Sequence, residues 1–524
     1  MSYASEFSVS GVFSADMVIQ RDERVRVWGW APPEQEGRTV CTDFRGLHGE
    51  AVIENGEWCA ELDGTLPASA EGADLTVYGE PGTERVFERV LVGDVYFCIG
   101  QSNVRYPLEA IVNGAPEGYP GRDCAVTDKE NIRLNLSSIH DADGNDIYPA
   151  RGTTELCRDV RHGRKWQMPS EGAMSFSALG FFAAQRIVHA TNNEIPVGII
   201  EIDADGQSLG MFMPNELADR LHTDDLYDGV YKCMWHVGPE PSRYVYNHFI
   251  YPYQRIGHAG VIWYQGESDF NDVNCPVYSR NFAALWTELR SRFDLKNHRE
   301  FPVYVIELPA SYPPYEGWPE GELWAYIDYG NIRPEMGRIP NLLPNSYIAA
   351  SSDLWTDKRY WNSIHPYCKY PQAERLTAIM LAVGYGIGDL ERAAGPQMSR
   401  VDYNGDRANV VYRYVADGIT SAGSSDLLGF EVLGTDGIWK APADVREYGD
   451  ANEDGVGDTV EIASDGEITG VRYNARSTNS FPADVNLCSS EGIPAIAFID
   501  RKYENDADVR EANVDPDNYM FIDL

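Results

Sequence analysis

Five short apolar runs constrain this chain more than any other feature. They are Asp94 to Ile99, Val197 to Ile202, Gly260 to Tyr264, Pro302 to Leu308 and Ser346 to Ala350. Runs that are apolar throughout, rather than at every second residue, read as strands buried on both faces. Helical stretches separate them, such as Ser177 to Thr191 with apolar Leu179, Phe182 and Ile187, and Ala373 to Tyr385 follows the last run. Strands alternating with helices predict an α/β domain of three layers around a central, mostly parallel five-stranded sheet. In such sheets ligands bind beyond the carboxyl ends of the strands, so the residues just after each run are the candidates for chemistry.

On either side of this region the rhythm changes. Residues 1 to 90 show short alternating strands broken by turns, as in Val25-Arg26-Val27-Trp28-Gly29-Trp30 and Ala51 to Trp58. Beyond 396 the same pattern returns, in Ala408 to Tyr414 and Ile493 to Phe498. The expected organisation is a β-sandwich-like domain over 1–90, a catalytic α/β domain over 91–395 and a β-rich domain over 396–524.

Charge narrows the partners. Asp and Glu outnumber Lys and Arg by 81 to 43, a formal net charge of -38. Such a field repels phosphate backbones and anionic lipid, so no nucleic acid and no membrane is expected as a partner. Nine cysteines are scattered without a CxxC pair, which argues against a disulfide framework and a zinc cluster. The start, Met1 to Phe7, lacks the basic and apolar segments of a secretory signal, and the expectation is a cytoplasmic protein, or a secreted one if a leader has been removed.

Three of the post-strand loops carry reactive groups. Cys98-Ile99-Gly100-Gln101-Ser102-Asn103 places a serine where a tight turn ends a strand, a position that exposes a hydroxyl near backbone N–H groups. Trp263-Tyr264-Gln265-Gly266-Glu267 puts a carboxamide donor, Gln265, beyond another buried strand. Asn362-Ser363-Ile364-His365-Pro366 supplies an imidazole able to act as base and acid near neutrality. A nucleophile, an oxyanion donor and a base at one edge of a sheet form the logic of acyl transfer. A glycosidase pairing Glu201 with Glu267 is the weaker reading, since it leaves the serine loop unused.

With these residues on the page, the chain resembles the sialate O-acetylesterase family, a branch of the SGNH hydrolases. The resemblance runs through Met17 to Arg21, Gly93-Asp94-Val95, Gly100-Gln101-Ser102-Asn103, Trp263 to Ser268, Ile364-His365-Pro366 and Glu491 to Ala495. It implies an SGNH-hydrolase fold and the removal of acetyl groups from an acetylated mono- or oligosaccharide. Ser102 would attack, His365 would take its proton, and the N–H groups of Ser102 and Gly206 with the Gln265 side chain would hold the oxyanion. No cofactor is implied for catalysis. A carbohydrate-binding protein on an inactive esterase scaffold is the alternative.

The chain departs from the family at three points. Asn362 stands where the family has an aspartate, leaving Asn362, Asp353, Asp357 and Glu267 as candidates to orient the imidazole, or a Ser–His dyad. Asp205 precedes Gly206 in place of a second glycine. Arg105 stands where a glutamate is usual, and a guanidinium there matches a substrate carboxylate. Outside the catalytic region, Asp450, Asn452, Asp454, Gly455 and Glu461 match the spacing of a calcium loop, so a structural Ca2+ is an expectation for the C-terminal region.

Overall fold

The computed structural model describes residues 4–138, 155–160, 165–221, 245–269, 275–309, 329–354, 365–451, 455–476 and 481–502. One strand organises most of them. Arg85–Gly100 is 16 residues long, and its burial changes halfway, from mostly exposed at its start to fully buried from Val90 onward. The sequence shows why: Arg85 to Arg89 mixes charge with apolar residues, whereas Val90 to Gly100 is apolar apart from Asp94.

The buried half of this hub strand is the middle of a parallel sheet. Its neighbours in order are Ile132–Ser138, Val197–Asp203, the hub strand, Gly260–Tyr264, Val303–Ile306 and Ser346–Ala349, each pair parallel. The five expected runs are all strands, and Ile132–Ser138 is a sixth that the sequence reading passed over. Its Arg133, Asn135 and Ser137 break the apolar run, yet these polar residues are themselves buried.

Helices cover both faces. Cys98 faces Ser177 at the start of helix Ala178–Ala190, while the ring of its neighbour Phe97 lies 5.5 Å from Phe293 of helix Tyr278–Phe293. Adjacent strand residues point to opposite faces, so these helices lie on opposite sides of the sheet. Helix Lys369–Tyr385 packs beside Ala178–Ala190, and Ile332–Leu342 packs beside Tyr278–Phe293. Among the described residues no helix is long and apolar enough to cross a membrane.

The flanking regions attach differently. The first half of the hub strand pairs antiparallel with Ser69–Tyr78, which continues to Thr39–Phe44 and then to the edge strand Leu47–Val52. The expected boundary near residue 90 thus falls inside a single strand, and the N-terminal strands extend the central sheet. A smaller sheet of Ser8–Val9, Arg26–Trp30 and Glu57–Glu61 lies alongside, and its Val27, Trp28 and Trp58 belong to the same apolar core as Phe97 and Trp263. The C-terminal region has two four-stranded sheets and a core of its own, centred on Val410, Tyr412, Phe430, Val460 and Val471.

Candidate active site

The hub strand ends at Gly100 because nothing larger fits. A Cβ there would stand 2.0 Å from the Tyr264 carbonyl oxygen and 2.7 Å from Val104 Cγ2. That close approach brings the turn Gln101-Ser102-Asn103 against the end of strand Gly260–Tyr264, and Gln101 N–H donates to the Tyr264 carbonyl at 3.4 Å. Ser102 opens a single helical turn, Ser102–Arg105, with Asn103 and Val104 buried and Ser102 itself partly exposed. Being the first residue of the turn, it has an N–H with no partner in the helix.

Gln265 follows strand Gly260–Tyr264 and is fully buried. Its carboxamide oxygen lies 3.1 Å from the Tyr278 hydroxyl, which also donates to the Gln265 backbone carbonyl at 2.9 Å. The Nε2 end donates to the Gln207 carbonyl at 3.1 Å and to Asp269 at 2.5 Å, with the Gln101 amide oxygen at 3.4 Å. The donor therefore sits between the Gly206 loop and the serine turn, as the proposed role requires, but its N–H groups are engaged by these acceptors. Asp269 and Tyr278, which set this orientation, had no signal in the sequence beyond their nearness to the Gln265 block. Gly206 has φ +66, a left-handed conformation that a side chain would strain.

Asp205 beside it is paired with Arg105 at 2.5 Å. The ion pair cancels the carboxylate that would otherwise oppose an oxyanion. Both partners are part-exposed, so the guanidinium sits at the rim of the serine turn.

His365 lies against the same turn. Its ring centroid is 6.3 Å from that of Tyr106, the residue that ends the Ser102 helical turn. Its Nε2 is buried and, among the described residues, has no hydrogen-bond partner, so a direct bond to Ser102 is not made. Burial, reinforced by the positive charges of Lys369 and Arg105, pushes the imidazole down to about 4. It is neutral at pH 7, the form that accepts a proton.

Of the four candidates to orient it, Asn362 and Asp357 lie outside the described residues. Asp353 is committed elsewhere, to a bidentate pair with Arg375 at 2.6 Å on both arms. Glu267 is buried and accepts from Asn103, and desolvation raises its carboxyl to about 7. Among the described residues no carboxylate bonds to the imidazole.

The structure adds a network that the sequence reading did not include. Lys369 is fully buried at the start of the helix after His365. Its Nζ donates to Asn103 Oδ1 and to the Pro366 carbonyl, both at 2.8 Å, and lies 5.0 and 5.1 Å from the rings of Tyr106 and Tyr264. Asn103 in turn donates to Glu267. A lysine, an amide and a carboxylate thus tie the serine, glutamine and histidine loops together. Desolvation lowers Lys369 to about 8, with Cys368 and Glu267 acting the other way. Its place four residues after His365 was visible in the sequence, but nothing there marked it as buried.

Two further expectations can be placed. Glu201 is buried and accepts from the Ser177 N–H at 2.8 Å, and desolvation, with Asp203 nearby, raises its carboxyl well above the usual carboxylate range. With Glu267 bound to Asn103, these carboxyls are not two acids facing one cleft. In the calcium-spaced segment, Asn452 and Asp454 lie outside the described residues. The Glu461 carboxylate there is held by Arg407 at 2.6 Å and Arg446 at 2.9 Å, and Gly455 N–H donates to Asp450 at 2.5 Å. Two guanidiniums on the twelfth-position donor do not fit a calcium ion.

An α/β fold that gathers a serine, a neutral imidazole and amide donors at one sheet edge has the parts that ester cleavage needs. Residues 165–326 match the family described as carbohydrate esterase, sialic acid-specific acetylesterase. Human sialate O-acetylesterase is 25% identical over 413 residues, covering 72% of this chain and 71% of the relative. The mouse enzyme is 26% identical over 423 residues, covering 71% and 72%. The crystal structure of a carbohydrate acetylesterase from Xanthomonas citri superposes with a TM-score of 0.70 at 23% identity, over 95% of this chain and all of that one, and so shares the fold. The chain is thus similar to the sialate O-acetylesterases over most of its length, and it is an esterase.

Proposed function

We propose that this esterase removes O-acetyl groups from a sugar by a serine mechanism, with sialate or plant-polysaccharide acetyl esters as the substrate class. Ser102 Oγ attacks the acetyl carbonyl while His365 Nε2 takes the hydroxyl proton. The carbonyl oxygen becomes an oxyanion held by the N–H groups of Ser102 and Gly206 and by Gln265 Nε2. Collapse breaks the bond from the acetyl carbon to the sugar oxygen, which leaves with the proton from His365. Water, deprotonated by the same imidazole, then attacks the acetyl-Ser102 ester and releases acetate. All of this is acid–base and electrostatic chemistry.

The observation that carries the reading is the placement of His365: a buried Nε2, without a partner among the described residues, on an imidazole packed against the turn that begins with Ser102. A base with a vacant lone pair beside a part-exposed serine is what proton abstraction needs, and such bonds often tighten only when substrate is bound. Gln265 contributes by exchanging one of its present acceptors for the oxyanion, a donor worth on the order of 3 kcal/mol in comparable sites. At the rim, Arg105 meets a substrate carboxylate while it stays paired with Asp205, which favours an acetylated sialic acid over a neutral acetylated sugar.

Acetate release from acetylated sialic acid and from acetylated xylan and mannan fragments tests the proposal. Ser102→Ala should lower turnover by about 10³-fold or more while leaving the fold intact by circular dichroism. A Ser102→Ala protein that releases acetate at the wild-type rate would end the serine mechanism.

A further inference from the structure

Far from the catalytic loops, the edge hairpin of the sheet carries a second group of reactive side chains. Strands Thr39–Phe44 and Leu47–Val52 pair antiparallel, with Cys41 opposite Glu50 and Asp43 opposite His48. Residues two apart on a strand share a face, and directly opposed residues do too. The register therefore puts Cys41, Asp43, His48 and Glu50 on one face of one hairpin, held by the backbone ladder.

Their contacts have a definite order. His48 Nδ1 lies 2.6 Å from Asp43 Oδ1, and Nε2 lies 3.2 Å from Glu50 Oε1. One ligand atom each from Cys41, His48 and Glu50 lie within 4.8 Å of one another. Ligands around a tetrahedral zinc at about 2.0–2.3 Å are separated by distances of this order. An imidazole with one nitrogen held by Asp43 and the other beside Glu50 repeats the arrangement in which outer partners orient metal-bound histidines.

We propose that Cys41, His48 and Glu50 form a divalent transition-metal site of zinc type, with Asp43 orienting His48 through Nδ1. The three protein ligands are a thiolate, a neutral imidazole and a carboxylate, a borderline-soft set that suits Zn2+ and Co2+ rather than Mg2+ or Ca2+. The hairpin is part-exposed, so water completes the coordination. The ion cross-links the outermost strand to its neighbour. This site is independent of the esterase mechanism and none of its residues touches the serine cleft.

The test uses the full-length protein, stripped with chelator under reducing conditions and titrated with Co2+ alone. A thiolate-to-cobalt charge-transfer band with tetrahedral d–d absorption, saturating at one ion per chain and displaced by Zn2+, is the expected result. Cys41→Ser should abolish the charge-transfer band, and Asp43→Asn should weaken Co2+ binding about 10–100-fold while the band survives. Zn2+ should raise the melting temperature of the wild type but not of His48→Ala. Absence of the band in the wild type overturns the proposal, and so does a band unchanged in Cys41→Ser, which would place the ion on another cysteine.

Discussion

The two β regions that flank the catalytic sheet are built from similar strands, yet they are joined to it by different physics. The N-terminal strands share both a backbone ladder and an apolar core with the catalytic layer, because the hub strand Arg85–Gly100 belongs to both. The C-terminal strands enclose a separate core and meet the catalytic layer through polar contacts together with a limited apolar contact, in which Ile496 enters the catalytic layer's core. Glu307, just beyond strand Val303–Ile306, accepts from the Ala497 N–H at 3.2 Å and from the Ser351 N–H at 3.1 Å. Arg333 is fully buried and donates to the carbonyls of Asn474 at 3.2 Å and Arg476 at 2.8 Å. Shared extensive hydrophobic burial makes two regions one cooperative unit, whereas a few hydrogen bonds and a small apolar contact can be broken while both cores survive.

The largest effect should come from a cavity in the shared core. Trp28→Ala should cost about 3–5 kcal/mol, and the loss of structure and of acetate release should coincide in a single thermal transition. The matching change in the separate core, Phe430→Ala, should lower only a C-terminal transition seen by calorimetry and leave activity at moderate temperature near wild type. If the two variants melt alike, the contrast between the regions is wrong.

Next in size is the junction itself. Arg333→Met leaves Glu307, whose carboxyl burial already raises and Arg333 pulls back down, without its cation. It also leaves the Asn474 and Arg476 carbonyls without their donor, at a cost of about 1–3 kcal/mol each. Limited proteolysis should then cut between the catalytic and C-terminal regions, with the N-terminal region still resistant.

A smaller and more local effect distinguishes charge from packing inside the catalytic layer. Lys369→Met keeps the bulk but removes a cation that disfavours the imidazolium of His365. Losing that repulsion raises the His365 pKa from about 4, so the acid limb of kcat/KM should move to higher pH. Misplacement of the three loops should also lower kcat by up to about 100-fold. A pH profile unmoved in an otherwise folded Lys369→Met protein would show that the lysine acts only as filler.

The smallest effect is expected at the rim. Arg105→Gln should raise KM for an acetylated sialic acid about tenfold or more, in line with loss of a charge-assisted hydrogen bond of about 1.5–3 kcal/mol. KM for a neutral acetylated sugar should change little. Equal effects on both substrates would remove Arg105 from recognition.

Much of the site was legible because its chemistry sits at the ends of recognisable strands. Ser102, Gln265 and His365 each follow a buried apolar run or begin the segment after one, and the fold brings their loops to one edge. What was illegible depended on neighbours distant in the chain. Lys369 looks like an ordinary surface residue until Asn103, Pro366 and the rings of Tyr106 and Tyr264 surround it. Cys41, His48 and Glu50 have no metal-ligand spacing, because a hairpin register rather than a sequence interval brings them together. Glu461 matches a calcium template by position, but the strands deliver Arg407 and Arg446 to its carboxylate instead.

The linear chain by itself determined the alternation of buried strands and helices, the acidic surface and the three reactive loops, because periodicity and turn residues are local properties. Only the tertiary structure decided that the N-terminal strands continue the catalytic sheet, that a lysine–asparagine–glutamate link ties the loops, and that Asp205 is neutralised by Arg105. Those features depend on which distant side chains share a buried space, and there the cost of an unpaired charge selects the partner.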